Sequence, residues 1–298
     1  MLWTPIEVGR LQQLGRYELL RRIAVGGMAE IFVARETGLA GFERPAIVKK
    51  ILPSFAEDEK FVTLFLDEAR VAAHLAHPNI VHIYELGLEE GSYYIAMELV
   101  RGCDLQTLLT AVPGPMPLPL DEAVHVVTEV LEGLHYAHTL RGPQGAPLGI
   151  VHRDIAPKNV LVSLEGAVKL VDFGIAKARI KMSVTAPGLV MGTYGYMSPE
   201  QATAQVVDHR TDVFAAGAML YRMTTGQDAY QGSEIIDIID VAQRGAFERP
   251  RSVRPSLPEP LEQVILTAMS LDVEERFPTA AHMRRELQMV ARELGLEG

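Results

Sequence analysis

Two short stretches, VHRDIAPKN at Val151–Asn159 and DFG at Asp172–Gly174, restrict the fold of this 298-residue chain more than anything else in it. An Asp and an Asn stand five positions apart, at 154 and 159, and a second Asp follows at 172, eighteen after the first. Oxygen ligands so spaced act on one partner only if the chain between them doubles back. The intervening residues supply that return. Val160–Val162 reads as a short strand, Ser163–Ala167 as a Gly-containing turn and Val168–Val171 as the strand back to Asp172.

Composition narrows the class. With 48% hydrophobic residues the chain can bury a full core, and its length suits two lobes. A formal charge of −10 argues against a nucleic-acid backbone or an anionic membrane surface as partner. The single Cys103 has no internal disulfide partner, which fits a reducing compartment, and the expected location is cytoplasmic. There is no apolar run of eighteen residues and no basic-then-apolar leader, so neither a transmembrane span nor a signal peptide is expected.

The periodicity changes character along the chain. After a lead-in over residues 1–16, Tyr17–Val25, Met28–Arg35 and Arg44–Leu52 read as strands between Gly-containing turns. Asp58–Leu75 carries Phe61, Leu64, Phe65, Glu68, Ala69 and Ala72 at helical spacing, and His77–Pro78 stops it. Two further strands, Val81–Leu86 and Tyr93–Glu98, precede a hinge at about 100–103. Beyond it the pattern is mostly helical. A loop with four prolines, Val112–Leu120, leads to a helix with Asp121 as its expected N-cap, and Val213–Met223 is apolar on nearly every side, as for a helix at the centre of a lobe.

Chemistry gathers at a few points. Gly26 and Gly27 lie in a tight turn between strands, where bare backbone amides approach phosphates, although a plain hairpin turn explains such a pair as well. Lys49 in the third strand and Glu68 in the next helix are nineteen residues apart, a separation that lets a strand and a helix packed on it join opposite charges; Lys50 is the rival to Lys49. His74 with His77, and His135 with His138, have i, i+3 spacing, but with no third ligand near either pair they are expected to serve the helices rather than a metal.

In this order and spacing the motifs resemble the catalytic domain of bacterial serine/threonine protein kinases, over about residues 17–293. The resemblance implies an α+β, bilobal protein-kinase-like fold. A small antiparallel-sheet N-lobe with one main helix spans about 17–99, and a larger, mainly helical C-lobe spans about 104–298. It implies ATP and Mg²⁺ as cofactors and protein substrates as partners, and it admits a homodimer.

By position, Lys49 resembles the lysine that holds the α- and β-phosphates and Glu68 its partner. Asp154 matches the base that accepts the substrate proton, and Asn159 and Asp172 the magnesium ligands. Ala24, Val25, Gly26, Gly27, Ile31 and Ile47 fall where the family lines the nucleotide. Met97 falls at the back of the adenine pocket, Glu98 to Val100 at the adenine-bonding backbone, and Asp104 near the ribose. His152 is expected beneath Phe173, Arg153 opposite a phosphorylated loop residue, and Glu200 paired with Arg276. Asp212 resembles the aspartate that braces the catalytic loop. Ser183 and Thr185 are the candidates for activating phosphorylation, and Thr193 resembles the threonine that contacts the base in serine/threonine kinases.

Departures from the family pattern bear on function. Ala24 and Ala29 replace glycines, Ile47 replaces an alanine that faces adenine, and Ser198 replaces the alanine of the usual APE. Ala156 replaces a lysine two residues after the catalytic Asp, and Lys158, two further on, occupies the place where tyrosine kinases carry an equivalent arginine. Lys158 is therefore expected to take over that charge. These changes motivate an alternative, a pseudokinase acting as a nucleotide-responsive scaffold, against which stands the presence of the Lys, the base and both metal ligands. A small-molecule phosphotransferase of the same fold is disfavoured by GTYGYMSPE, Gly192–Glu200, which forms a protein-substrate shelf in the family.

Overall fold

Short alternating apolar runs separated by tight turns give the strands between residues 12 and 98, and longer 3.6-periodic runs give most of the helices. The structure, a computed structural model, describes residues 12–26, 28–111, 114–173, 191–232 and 234–296. It divides into two compact units. The first takes the described residues through Ala76 together with Val81–Val100, and the second takes His77–Ile80 and the described residues from Arg101 onward.

In the first unit the strands are β1 (Gln12–Leu14), β2 (Tyr17–Val25), β3 (Ala29–Thr37), β4 (Glu43–Ile51), β5 (Ile83–Glu89) and β6 (Ser92–Glu98). They form one sheet in the order β1-β2-β3-β4-β6-β5, and each neighbouring pair runs antiparallel. Within the expected lead-in, Gln12–Leu14 adds a short edge strand to β2. Both faces of the sheet are covered. Leu14, Tyr17, Leu19, Ala34, Ala46, Val48, Tyr94 and Ala96 pack on one. Ala29, Ile51 and Ile95 pack on the other against Phe65 and Ala69 of helix α2. That helix (Glu59–Ala72) follows the short α1 (Pro53–Ala56) and begins where the Asp58 carboxylate accepts the Lys60 amide. Phe65 is fully buried here, and its truncation to Ala would cost about 3–5 kcal/mol. Phe61, by contrast, turns edge-on to Phe55 of α1. Gly87 is dictated by packing, since a Cβ there would lie 2.2 Å from the Tyr94 ring.

The second unit opens with β7 (Gly102–Asp104), α3 (Leu105–Leu109) and α4 (Leu120–Thr139). The strands β8 (Val160–Ser163) and β9 (Val168–Leu170) form the expected hairpin and pair with β7 in a three-stranded antiparallel sheet. After them come α5 (Pro199–Ala202), α6 (Arg210–Thr225), α7 (Ile235–Arg244), α8 (Pro250–Val253), α9 (Glu259–Ala268) and α10 (Ala280–Leu294). Helix α6 is the centre of this unit, buried from Thr211 to Thr225 except at Arg222. It approaches α9 so closely that a Cβ at Gly217 would fall 2.6 Å from that of Ala268. The expected N-cap of α4 is corrected. The helix starts at Leu120 behind Pro119, whose fixed φ sets the extended entry, and Asp121 lies in the first turn, where its charge favours the helix N-terminus.

Candidate active site

Strand pairing puts the two lysines of β4 on opposite faces of the sheet. Residues directly opposite in an antiparallel sheet share a face. Lys49 lies opposite Ile31 on β3 and Ile95 on β6, and Ile95 belongs to the face covered by α2. Lys50 lies opposite Tyr94, whose ring belongs to the other face. Ile47 and Met97, also directly opposite each other, share the face of Lys49. Ala24 and Val25 end β2 beyond two bulges, and the Gly26 amide donates to the Ala29 carbonyl at 2.8 Å to close the turn. Gly27 and the side chain of Glu68 lie outside the described residues, so the ion pair expected of Glu68 has no described geometry.

At the end of β6 the Glu98 amide donates at 2.9 Å to the carbonyl of His82, the residue just before β5. Val100 ends this unit. In the second unit Asp104 caps α3, its carboxylate accepting the Thr107 amide at 2.8 Å and the Thr107 hydroxyl at 2.9 Å.

Asp154 and Asn159 meet within the second unit. Val160 pairs with Leu170 and Val162 with Val168, and the Val171 amide donates to the Asn159 carbonyl at 3.0 Å. The hairpin thereby sets Asp172 one residue beyond the partner of Asn159. Asp154 and Asn159 are both 3% exposed, and the Asn159 Nδ2 donates to the Asp154 carbonyl at 2.6 Å and to its Oδ2 at 2.7 Å. With the NH₂ group spent in this way, Oδ1 is the amide atom left for a cation. One carboxylate and one amide oxygen are hard donors in small number, a set that fits Mg²⁺ sharing its shell with phosphate and water. Lys158 places Nζ 4.0 Å from Asp154 Oδ2. Among the described residues no three His, Cys, Asp or Glu side chains gather as a metal site.

The loop around Asp154 is held by backbone contacts. His152 is buried: Nε2–H donates to the Val171 carbonyl at 3.1 Å, Nδ1 accepts the Asp154 amide at 3.3 Å, and the ring packs on Phe173 at 4.6 Å. Its role is structural. Arg153 has φ 65°, a left-handed conformation that costs a non-Gly residue roughly 1–3 kcal/mol unless its surroundings hold it. Asp212 is the chief restraint. Its Oδ2 accepts the His152 amide and its Oδ1 the Arg153 amide, each at 2.8 Å. Burial alone would raise the Asp212 carboxyl, but the hydrogen bond and charge of His138 with the His152 contacts outweigh it and hold it below its ordinary value.

Sequence reasoning assigned no role to His138, yet its Nε2 donates to Asp212 Oδ2 at 2.8 Å. In the other pair of i, i+3 histidines, His74 bonds the Arg70 carbonyl and His77 stacks on Tyr136. Glu200 and Arg276 meet as a buried two-pronged pair at 2.7 and 2.8 Å. Ser183 and Thr185 lie outside the described residues, as does the side chain of Thr193. Tyr194 is buried, and burial followed by the Asp154 charge pushes its phenol up.

A family profile described as the protein kinase domain matches residues 17–287. Over 271 residues, 91% of this chain and 42% of the relative, the sequence is 45% identical to the tyrosine-protein kinase MasK of Myxococcus xanthus. It is 34% identical to the serine/threonine-protein kinase PrkC of Bacillus subtilis, across 92% of this chain and 40% of that one. With the serine/threonine-protein kinase PknB of Mycobacterium leprae the identity is 36%, across 91% and 42%. The chain spans about two fifths of the length of these relatives. The PknI kinase domain of Mycobacterium tuberculosis superposes with a TM-score of 0.71 at 24% identity, covering 95% of this chain and 99% of that one, a likeness of fold.

Proposed function

This chain belongs to the protein kinase family, and on that footing we propose that it transfers the γ-phosphate of ATP to serine and threonine hydroxyls of protein substrates. The observation that carries the reading is the buried Asp154–Asn159 pair, joined through the Asn159 amide at the root of a hairpin that runs on to Asp172. In this reading Asp154 orients the acceptor hydroxyl and takes its proton, and Lys158, beside that carboxylate, offsets charge on the phosphoryl group. Lys49, with Glu68 as its partner, holds the α- and β-phosphates. Adenine is taken by Ala24, Val25, Ile31, Ile47 and Met97 with the main chain of Glu98–Val100, and Asp104 serves the ribose while capping α3. Asn159 through Oδ1 and Asp172 would hold magnesium, which when bound neutralises the phosphate oxygens.

Serine and threonine as acceptors are supported by the match of Thr193 to the family threonine and by the names of PrkC and PknB. A tyrosine acceptor is favoured by a different observation, the Ala156 and Lys158 arrangement together with the 45% identity to a protein named as a tyrosine kinase. Phosphoamino-acid analysis of a phosphorylated substrate separates the two, and phosphotyrosine alone would transfer the assignment. We assign autophosphorylation to Ser183 and Thr185, to be mapped by mass spectrometry after incubation with Mg-ATP. The site of action is assigned to the cytoplasm, where ATP is supplied; among the described residues no helix is long and apolar enough to cross a membrane. Asp154→Asn should abolish transfer and spare nucleotide binding. Retained activity in that variant refutes the role of the base, and absence of transfer by the unmodified chain points to the nucleotide-responsive scaffold.

A further inference from the structure

Ser198 was legible in the sequence only as a departure from an alanine, and Gln201 carried no signal. The structure gives both a place next to the base. Arg153, immediately before Asp154 in a left-handed conformation, has both main-chain polar groups held by side chains. Its N–H donates to Asp212 Oδ1 of α6 at 2.8 Å, and its carbonyl accepts from Gln201 Nε2 of α5 at 2.9 Å. The Gln201 amide has one orientation, because its Oε1 accepts the Ser198 amide at 3.2 Å and the Ser198 hydroxyl at 3.3 Å. That hydroxyl is in turn hydrogen-bonded to Thr211 Oγ1 beside Asp212, and Ser198 is fully buried. A small cavity whose lining includes Arg153, Asp154, Ile155, Met197, Gln201 and Asp212 adjoins this network.

We infer that Gln201 is a positioning residue for phosphoryl transfer: it fixes the Arg153 carbonyl, and through that peptide Asp154, only while residues 198–202 keep the α5 conformation. The end of the GTYGYMSPE stretch is thereby tied to the base through one neutral amide. A disturbance of the acceptor shelf that unwinds Ser198–Ala202 withdraws the restraint on Arg153, so transfer is weakened with no change at the nucleotide. This rests on the reading of Asp154 as the base.

The test compares the unmodified chain with Gln201→Leu, Gln201→Glu and Ser198→Ala, measuring kcat, KM for Mg-ATP, nucleotide affinity and thermal unfolding. Leu takes the side-chain donor from a partly buried carbonyl, and kcat should fall about tenfold with nucleotide affinity unchanged; Ser198→Ala, which keeps the Ser198 amide, should lose less. Glu is the discriminating variant. Ionised, it faces the Arg153 carbonyl among Asp154 and Asp212 and repels; protonated, it is isosteric with Gln and donates. Its activity relative to the unmodified chain should therefore climb as pH is lowered from about 8 towards about 5.5. Unaltered kcat in Gln201→Leu, a loss that merely follows the folded fraction, or a pH-independent ratio for Gln201→Glu overturns the inference. Should Leu fail to fold, the Glu ratio decides alone. An unmodified chain that transfers nothing overturns the kinase reading and this inference with it, whereas an active chain with indifferent variants overturns only the latter.

Discussion

His138 Nε2 lies 2.8 Å from Asp212 Oδ2, and that oxygen also receives the His152 amide at 2.8 Å. A histidine of α4 and an aspartate of α6 thus hold the catalytic loop together. Asp212 is 1% exposed, and a fully buried carboxylate persists as an anion only while donors surround it.

Replacing His138 by Leu removes one of the three donors and leaves the Asp212 charge under-compensated. A hydrogen bond to a buried charge contributes about 1.5–3 kcal/mol, so a fall in kcat of about tenfold to a hundredfold is expected, with a lower Tm. His138→Gln, whose Nε2 reaches a similar position, should recover most of the loss. Steady-state kinetics on the pair checks this, and equal impairment of both would show that ring packing rather than the donated hydrogen bond matters.

The Glu200–Arg276 pair predicts the response to acid. Burial would raise Glu200, but the Arg276 fork and charge lower it below its ordinary value. The sign comes from linkage: a carboxyl lowered on folding adds stability above its unfolded value, near pH 4.5, and that stability disappears as pH falls through the folded value. Glu200→Gln leaves Arg276 buried with a weaker partner and should cost about 3–5 kcal/mol at neutral pH. Its deficit relative to the unmodified chain should narrow below about pH 4.5, which unfolding curves at pH 7 and pH 4 would display. A constant deficit contradicts the assignment.

How far the sequence announced these features depends on the reach of each signal. The hairpin from Val160 to Leu170 was legible because β-branched residues flank a Gly turn at hairpin spacing, and the burial of α6 because its apolar residues leave no polar face. Local signals misled at α4, where Asp121 has the preferred chemistry of a cap but Pro119 has already set the backbone. His138 and Gln201 were silent for a different reason. Their partners stand 74 and 48 residues away, and one of them is a main-chain carbonyl that no side-chain pattern reveals. The two lysines of β4 were ambiguous until register assigned them to opposite faces.

That register yields a further expectation. Because Lys49 shares a face with Ile47 and Met97 and Lys50 with the other core, Lys49→Met should weaken nucleotide binding and abolish transfer. Lys50→Met should alter both less than about twofold, as for a partly exposed surface substitution of under about 0.5 kcal/mol. Titration with a fluorescent nucleotide checks the pair, and a reversed ranking would reassign the phosphate contact to Lys50.

Lys158 offers the sharpest test of the altered catalytic loop. Its side chain is 34% exposed with Nζ 4.0 Å from Asp154, so solvent screens part of its charge but does not remove it. Removing a preorganised electrostatic contact costs about a hundredfold to a thousandfold in kcat in enclosed sites; at this exposure the low end is expected, about a hundredfold or somewhat less for Lys158→Met. On the proposed role, in which that charge acts on the transferring group rather than on bound ATP, KM for ATP should stay within about twofold. Lys158→Arg keeps the cation and should retain most activity. If Lys158→Met lowers ATP affinity and turnover equally, the residue contributes to ground-state binding, and the charge missing at Ala156 has been replaced elsewhere.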